Sequence, residues 1–290
     1  MFWAASRLFR RLSWPAAARL AGLCALLGGV SAGATDRVEF VTLSSEALGR
    51  ELPLAIVRPA AEAARADEVS PVLYFLHGRG RHHASLLERP AAREALLAAG
   101  YTIVLPQGED GWYLDSPLSP QDRYETYLCE VIAWVEAHRP VRRDAAGRGI
   151  AGWSMGGYGA VRFAERNPGT FAFVGSIIGL LDFPREETLP EGQNYRVPVE
   201  RFGTDPEFWR LNNPLHRVAE LRGAEVSLVL AEAGFERTMN ERFIEAARAA
   251  GISPRVHILV GGHQIEVVER GLTRLLNDCA AVFGRPPARR

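Results

Sequence analysis

The sequence predicts an α/β protein, a mostly parallel sheet of about eight strands with helices on both faces. Three observations carry this expectation. Short apolar runs alternate with segments of helical period along most of the chain, the pattern of repeated strand–helix units. Residues 71–76 (PVLYFL) and 101–105 (YTIVL) are almost continuously apolar, as strands buried on both faces are. His77, Ser154 and His263 each follow a strand-like run, and open parallel sheets bind ligands at the carboxyl ends of their strands.

Taken in order, residues 38–43 (VEFVTL) alternate and read as a strand. Residues 52–57 (LPLAIV) are a second, and Pro53, which cannot donate to a ladder, suggests an edge position. No helix separates the two, so they should form an antiparallel edge. Residues 59–69, Ala-rich and charged, read as a surface turn. The buried strand 71–76 runs into His77-Gly78-Arg79-Gly80. Residues 85–99 are helical and end at Gly100. The strand 101–105 follows, then a loop through Trp112, Tyr113, Asp115 and Ser116, and a helix over 124–138. Ile150-Ala151 ends a short strand, residues 158–165 look helical, and Asn167-Pro168-Gly169 stops them. Residues 171–177 are another strand. Residues 182–214 lack a clear period but carry Phe183, Tyr195, Phe202, Phe208 and Trp209, which could shape a pocket or cover the core. A strand at 226–230, a helix at 240–250, a last strand at 256–260 and a last helix at 265–282 complete one domain spanning 35–284.

Residues 1–34 read as an export signal. Arg7, Arg10 and Arg11 give a positive start, residues 20–30 are apolar but short for a bilayer, and small residues at 32–34 suit cleavage. A periplasmic or secreted location follows, and residues 285–290 read as a flexible tail. Export would permit a disulfide, but Cys129 and Cys279 are expected on helices covering opposite faces of the sheet, so no bridge is expected between them.

The 34 acidic and 34 basic side chains balance, so no global field favours nucleic acid. Every fixed cation is arginine; without a lysine amine, Schiff-base chemistry, a Ser–Lys dyad and a Walker-type phosphate loop are excluded.

Gly152-Trp153-Ser154-Met155-Gly156 matches G-x-S-x-G, the spacing that puts a serine hydroxyl on an exposed strand-to-helix turn. A serine needs a base, usually a histidine oriented by a carboxylate. His263, in a turn with Gly261-Gly262 after the last strand, is the best candidate, and the order serine, acid, histidine fits. An acyl-transfer site also needs donors for a developing oxyanion: the N–H of Met155, and that of Arg79 in the loop after residue 76. His77 reads as structural, fixing that loop. His82 and His83 have no neighbours at metal-ligand spacing, so neither a metal nor a cofactor is expected.

The stretches Tyr74-Phe-Leu-His-Gly78, Trp112-Tyr-Leu-Asp-Ser116, IAGWSMGGYGA at 150–160 and Gly261-Gly-His263 resemble the branch of the α/β-hydrolases that includes esterase D (S-formylglutathione hydrolase), tributyrin esterases, feruloyl esterase modules and the mycolyltransferase antigens. The resemblance covers about 71–276. It implies an α/β-hydrolase fold with Ser154 as nucleophile, His263 as base and Arg79 and Met155 as oxyanion donors. The implied reaction is hydrolysis of small-molecule or polysaccharide-linked carboxylic esters through an acyl-enzyme, with acyl transfer as a variant.

Two departures stand out. Relatives carry an aspartate in the loop after the penultimate strand; here that position is Gly234. Glu236, which mycolyltransferase-like members favour by their late glutamate, is the first candidate acid, with Glu232 and Asp182 as alternatives. His263-Gln-Ile265 also replaces the His-x-Trp of many relatives. The missing aspartate leaves a competing reading, a non-catalytic binding protein on a hydrolase scaffold.

Overall fold

The computed structural model describes residues 37–60, 69–189 and 192–284. The expected export signal, the tail and most of the surface turn at 59–69 lie outside the described residues. β1 (Val38–Ser45) and β2 (Arg50–Val57) form an antiparallel hairpin whose register pairs Val38 with Val57 and Ser45 with Arg50. Gly49, at φ +64°, takes the left-handed position that closes the turn. Then follow β3 (Val72–Leu76), α1 (Pro90–Ala98), β4 (Thr102–Pro106), α2 (Tyr124–His138), β5 (Arg148–Trp153), α3 (Met155–Arg166) and β6 (Phe173–Ile177). After a long connection come β7 (Glu225–Ala231), α6 (Arg237–Ala249), β8 (Arg255–Leu259) and α7 (Ile265–Val282); the connection holds α4 (Val199–Phe202) and α5 (Pro206–Asn212).

The strands make one sheet in the order β1-β2-β4-β3-β5-β6-β7-β8. β2 runs antiparallel to both neighbours; every pairing from β4 to β8 is parallel. The period-two alternation of strand side chains divides the core. Val72, Tyr74 and Leu76 point to one face, packed with Leu128 and Val131 of α2, Val161 of α3 and Phe243 of α6. Leu73 and Phe75 point to the other, packed with Leu96 of α1 and Leu272 and Leu275 of α7. Cys129 packs on the first face and Cys279 on the second, the placement expected for them. Burial pushes the Cys129 thiol up to about 12.

Three expectations need correction. Pro53 is not on an edge strand: β1 is the edge and β2 is second. Proline is tolerated because Pro53 lies one residue beyond the β2–β4 pairing, which ends at Leu54 and Pro106. Its carbonyl accepts from Gln107 N–H (3.1 Å), so the absent N–H faces the end of β4, where the ladder stops. The first helix begins at Pro90 rather than at 85, with Pro at the first helical position where no N–H is needed. The connection 182–214 contains short helices: Asp205 caps α5 by accepting from Glu207 N–H (3.0 Å), and Pro206 opens it.

β3 has β4 on one side and β5 on the other, with α1 and α2 leading away on opposite faces. The crevice beyond the carboxyl ends of β3 and β5 is therefore a topological switch point. His77 and Ser154 follow those two strands directly.

Candidate active site

β5 ends at Trp153 and α3 begins at Met155, so Ser154 alone makes the turn. Its φ of +54° and ψ of −119° are strained for a residue with a side chain. The surroundings impose it: Ser154 N–H donates to Ile177 O (2.9 Å), and Ser154 O accepts from Tyr158 N–H (3.0 Å). Two glycines are required by close backbone approach. A methyl on Gly152 would lie 2.7 Å from Leu76 O; one on Gly156 would lie 2.7 Å from His77 O and nearer still to Leu76 O. The motif's spacing thus lets the start of α3 press against the end of β3.

α3 is anchored from behind. Tyr158 OH donates to Asn212 O (2.9 Å). Arg162, almost fully buried, donates through Nε to Asn212 Oδ1 (2.7 Å) and through Nη2 to Glu125 Oε2 (2.9 Å). A buried guanidinium is tolerated when paired in this way. The network ties α2, α3 and the end of α5 into one support.

His263 follows β8 through Gly261, whose φ is +129°. Its Nε2 lies 2.8 Å from Ser154 Oγ, and its Nδ1 lies 2.8 Å from Oε2 of Glu236. Glu236, at the N-cap of α6, is fully buried. Its carboxylate can only accept, so Nδ1 carries the proton and Nε2 presents its lone pair to the serine hydroxyl. Of the three candidate acids the structure brings one to the histidine. Glu232 is exposed on the same loop. Asp182 is buried elsewhere, accepting from Asn213 Nδ2 (2.8 Å) and pairing with Arg242 Nη1 (2.8 Å).

Gly234 explains the departure from the relatives' pattern. A methyl there would sit 2.5 Å from Glu236 Oε2 and closer still to Oε1. The space an aspartate would occupy is filled by the carboxylate of the residue two positions on.

The loop after β3 is held by His77. Nε2 accepts from Gly108 N–H (2.8 Å), so Nδ1 carries the proton and donates to Gly78 O (2.8 Å). Burial lowers this imidazole to about 4, keeping it neutral. Tyr113 OH donates to His77 O (3.1 Å), and a methyl on Gly78 would meet the Trp153 ring at 2.9 Å. In the loop, Gly80 N–H donates to Asp110 Oδ1 (2.8 Å) and Arg81 N–H to Gly78 O (3.2 Å); Arg79 N–H is in neither bond. Met155 N–H, at the first turn of α3, lacks an intrahelical acceptor. His82 lies 3.6 Å from Glu88, and His83 packs edge-on against Phe40.

Sequence reasoning missed Phe235. Its ring lies against the His263 imidazole (centroids 4.5 Å apart, 33° between planes), and Tyr195 stacks on Phe235 in turn (5.4 Å, 18°). Adjacency to Glu236 was the only available signal.

A serine on the elbow after β5, a histidine after β8 bonded to it, and a buried carboxylate on that histidine's other nitrogen stand, on an α/β-hydrolase fold, where a nucleophile, base and acid would. Residues 45–269 match the Putative esterase family, and the chain belongs to it. Esterase Rv1288 of Mycobacterium tuberculosis is 27% identical over 224 residues, covering 67% of this chain and 48% of that protein. This chain therefore spans about half the length of that relative. The diacylglycerol acyltransferase/mycolyltransferase Ag85A of Mycobacterium leprae is 26% identical, covering 81% of this chain and 80% of its own. Among solved structures, a ferulic acid esterase superposes with TM-score 0.69 at 24% identity, covering 85% of this chain and 97% of its own. An S-formylglutathione hydrolase from Agrobacterium tumefaciens gives 0.70 at 21%, covering 86% and 95%. These superpositions show the same α/β-hydrolase fold.

Proposed function

We propose that the protein is an exported serine hydrolase that cleaves carboxylic esters through an acyl-enzyme. The observation that carries this reading is the unbroken relay Ser154–His263–Glu236, two 2.8 Å hydrogen bonds joining side chains from three separate loops. Ser154 Oγ attacks the ester carbonyl while His263 Nε2 takes its proton. Glu236, at Nδ1, stabilises the imidazolium so formed. The N–H groups of Met155 and Arg79 receive the oxyanion. His263 then protonates the leaving alcohol, and water, deprotonated by the same imidazole, releases the acid.

The relay also argues against the binding-scaffold alternative. Burying a carboxylate costs several kcal/mol before pairing, and among the described residues Glu236 has His263 as its one hydrogen-bonded side-chain partner. A fold kept only for binding gains nothing from that cost. Export rests on residues 1–34 alone. The small-ester reading rests on the family and on relatives named as esterases; a polysaccharide-linked ester rests on the sequence resemblance alone. Transfer to an alcohol in place of water is the second reading, favoured by the similarity to a protein named as an acyltransferase.

A panel of p-nitrophenyl and aryl esters, with and without an added acceptor alcohol, tests this. Wild-type protein should hydrolyse at least the short esters, and Ser154→Ala should fall by several orders of magnitude with its fold intact. Equal turnover by the two proteins would end the serine-hydrolase reading.

A further inference from the structure

We propose that Tyr195, on the connection between β6 and β7, is a positioning residue that acts through Phe235 to hold the His263 imidazole against Ser154. The inference rests on the serine-hydrolase reading above and adds to it a residue outside the relay.

Glu236 fixes one end of the imidazole, at Nδ1; while Ser154 Oγ is bonded to the acyl group, that one hydrogen bond leaves the ring free to swing about it. The swing towards Phe235 is blocked by the ring that lies tilted against it at 4.5 Å. Phe235 is half-buried and sits in the same short loop as Glu236, so it needs backing of its own. Tyr195 supplies it, at 5.4 Å and 18°. Tyr195 is in turn seated on buried aromatics, with Phe183 at 5.6 Å and Trp112 at 5.8 Å. Trp112 contacts Tyr158 of α3, the helix that begins just after the nucleophile. The wall behind the base therefore stands on the support that holds the serine.

The polar end of Tyr195 reaches the third part of the site. Its hydroxyl accepts from Arg79 Nη1 (2.9 Å), and Arg79 also lies 3.8 Å from Asp110 and 3.7 Å from Glu200. Arg79 carries one of the two assigned oxyanion N–H groups. One side chain thus touches the loop that carries Glu236 and the side chain of Arg79 in the oxyanion loop, and reaches the nucleophile helix through Trp112; those parts must keep their mutual geometry through both half-reactions.

The test compares wild type with Tyr195→Phe, Tyr195→Leu, Phe235→Tyr, Phe235→Leu and the double leucine variant. Three quantities are read: kcat and KM on one p-nitrophenyl ester, and the rate of labelling by a fluorophosphonate, which reports serine attack without ester binding. Aromatic pairs of this kind correspond to roughly threefold to tenfold in rate. Tyr195→Leu and Phe235→Leu should each lower kcat and the labelling rate by such a factor, with KM held within about twofold. The double variant should exceed the loss of Phe235→Leu by no more than that of Tyr195→Phe, because apart from the Arg79 bond Tyr195 acts through Phe235. Phe235→Tyr should retain the wild-type rate, and Tyr195→Phe, which keeps the ring and severs only the Arg79 bond, should show a smaller fall. A rise in KM with kcat and labelling unchanged, or additive losses in the double variant, would overturn the proposal. Should the leucine variants not fold, Tyr195→Met and Phe235→Met, which keep apolar bulk and remove the ring faces, replace them, and labelling of both at the wild-type rate refutes the link. Wild-type protein that does not label at all rejects the serine-hydrolase reading instead, before any variant is compared.

Discussion

Gly234→Ala should disable the site although it touches neither the nucleophile nor the base. Gly234 does not adopt a positive φ, so alanine brings no backbone strain. The added methyl would stand 2.5 Å from Glu236 Oε2 and nearer to Oε1, where ordinary contact begins at 3.4 Å. The carboxylate must retreat, and a 2.8 Å hydrogen bond to His263 Nδ1 does not survive a displacement of that size. Hydrogen bonds to charged groups contribute about 1.5–3 kcal/mol, which corresponds to a fall in kcat of about ten- to 150-fold. KM should change little, because the imidazolium that Glu236 stabilises forms only on the way to the transition state. The assay is steady-state hydrolysis of a p-nitrophenyl ester, with circular dichroism to verify the fold. A companion variant sharpens it: in a Glu236→Ala background, Gly234→Asp should recover part of the lost rate by supplying the carboxylate from the relatives' position. A Gly234→Ala enzyme within about twofold of wild type would refute the idea that the absent side chain makes room for the acid.

Three further outcomes concern groups outside the relay. His77 is held neutral, its imidazole lowered to about 4 by burial. In the unfolded chain it titrates near 6.5, so its contribution to stability is complete above that pH and is lost as pH falls towards 4. The loss amounts to about 3 kcal/mol over that window. Denaturant midpoints at pH 7 and pH 4.5 should fall more steeply for wild type than for His77→Gln; equal slopes would contradict the assignment. Asp182→Asn should cost stability rather than catalysis, about 2 kcal/mol, less than for a fully buried pair because Arg242 is half exposed. Glu232→Gln should change neither, and a large loss of kcat in either variant, read by the same ester assay, would move the acid's role away from Glu236.

The sheet and the placement of Ser154 and His263 were legible because their requirements are local. A strand buried on both faces must be apolar throughout, and an elbow that presses α3 against β3 must have glycine at positions 152 and 156. The acid was harder to read, because which carboxylate reaches His263 depends on the path of a loop. Glu232, Glu236 and Asp182 all follow strands, and only the path puts Glu236 into the space beside Gly234. Pro53 misled for a related reason: the rule against proline applies to a hydrogen bond that must be made, and β4 ends before needing that donor. The connection 182–214 has no period because its burial is set by contacts between aromatic side chains rather than by one continuous amphipathic face. The wall formed by Phe235 and Tyr195, from two distant segments, could not be read from either.

The most direct measurement of the central claim is intact-protein mass spectrometry after exposure to a fluorophosphonate, followed by peptide mapping. The relay predicts one adduct per chain on the peptide carrying Ser154, no adduct in Ser154→Ala, and much slower labelling in His263→Ala and Glu236→Gln. An unlabelled wild-type protein, or an adduct on a different residue, would contradict it.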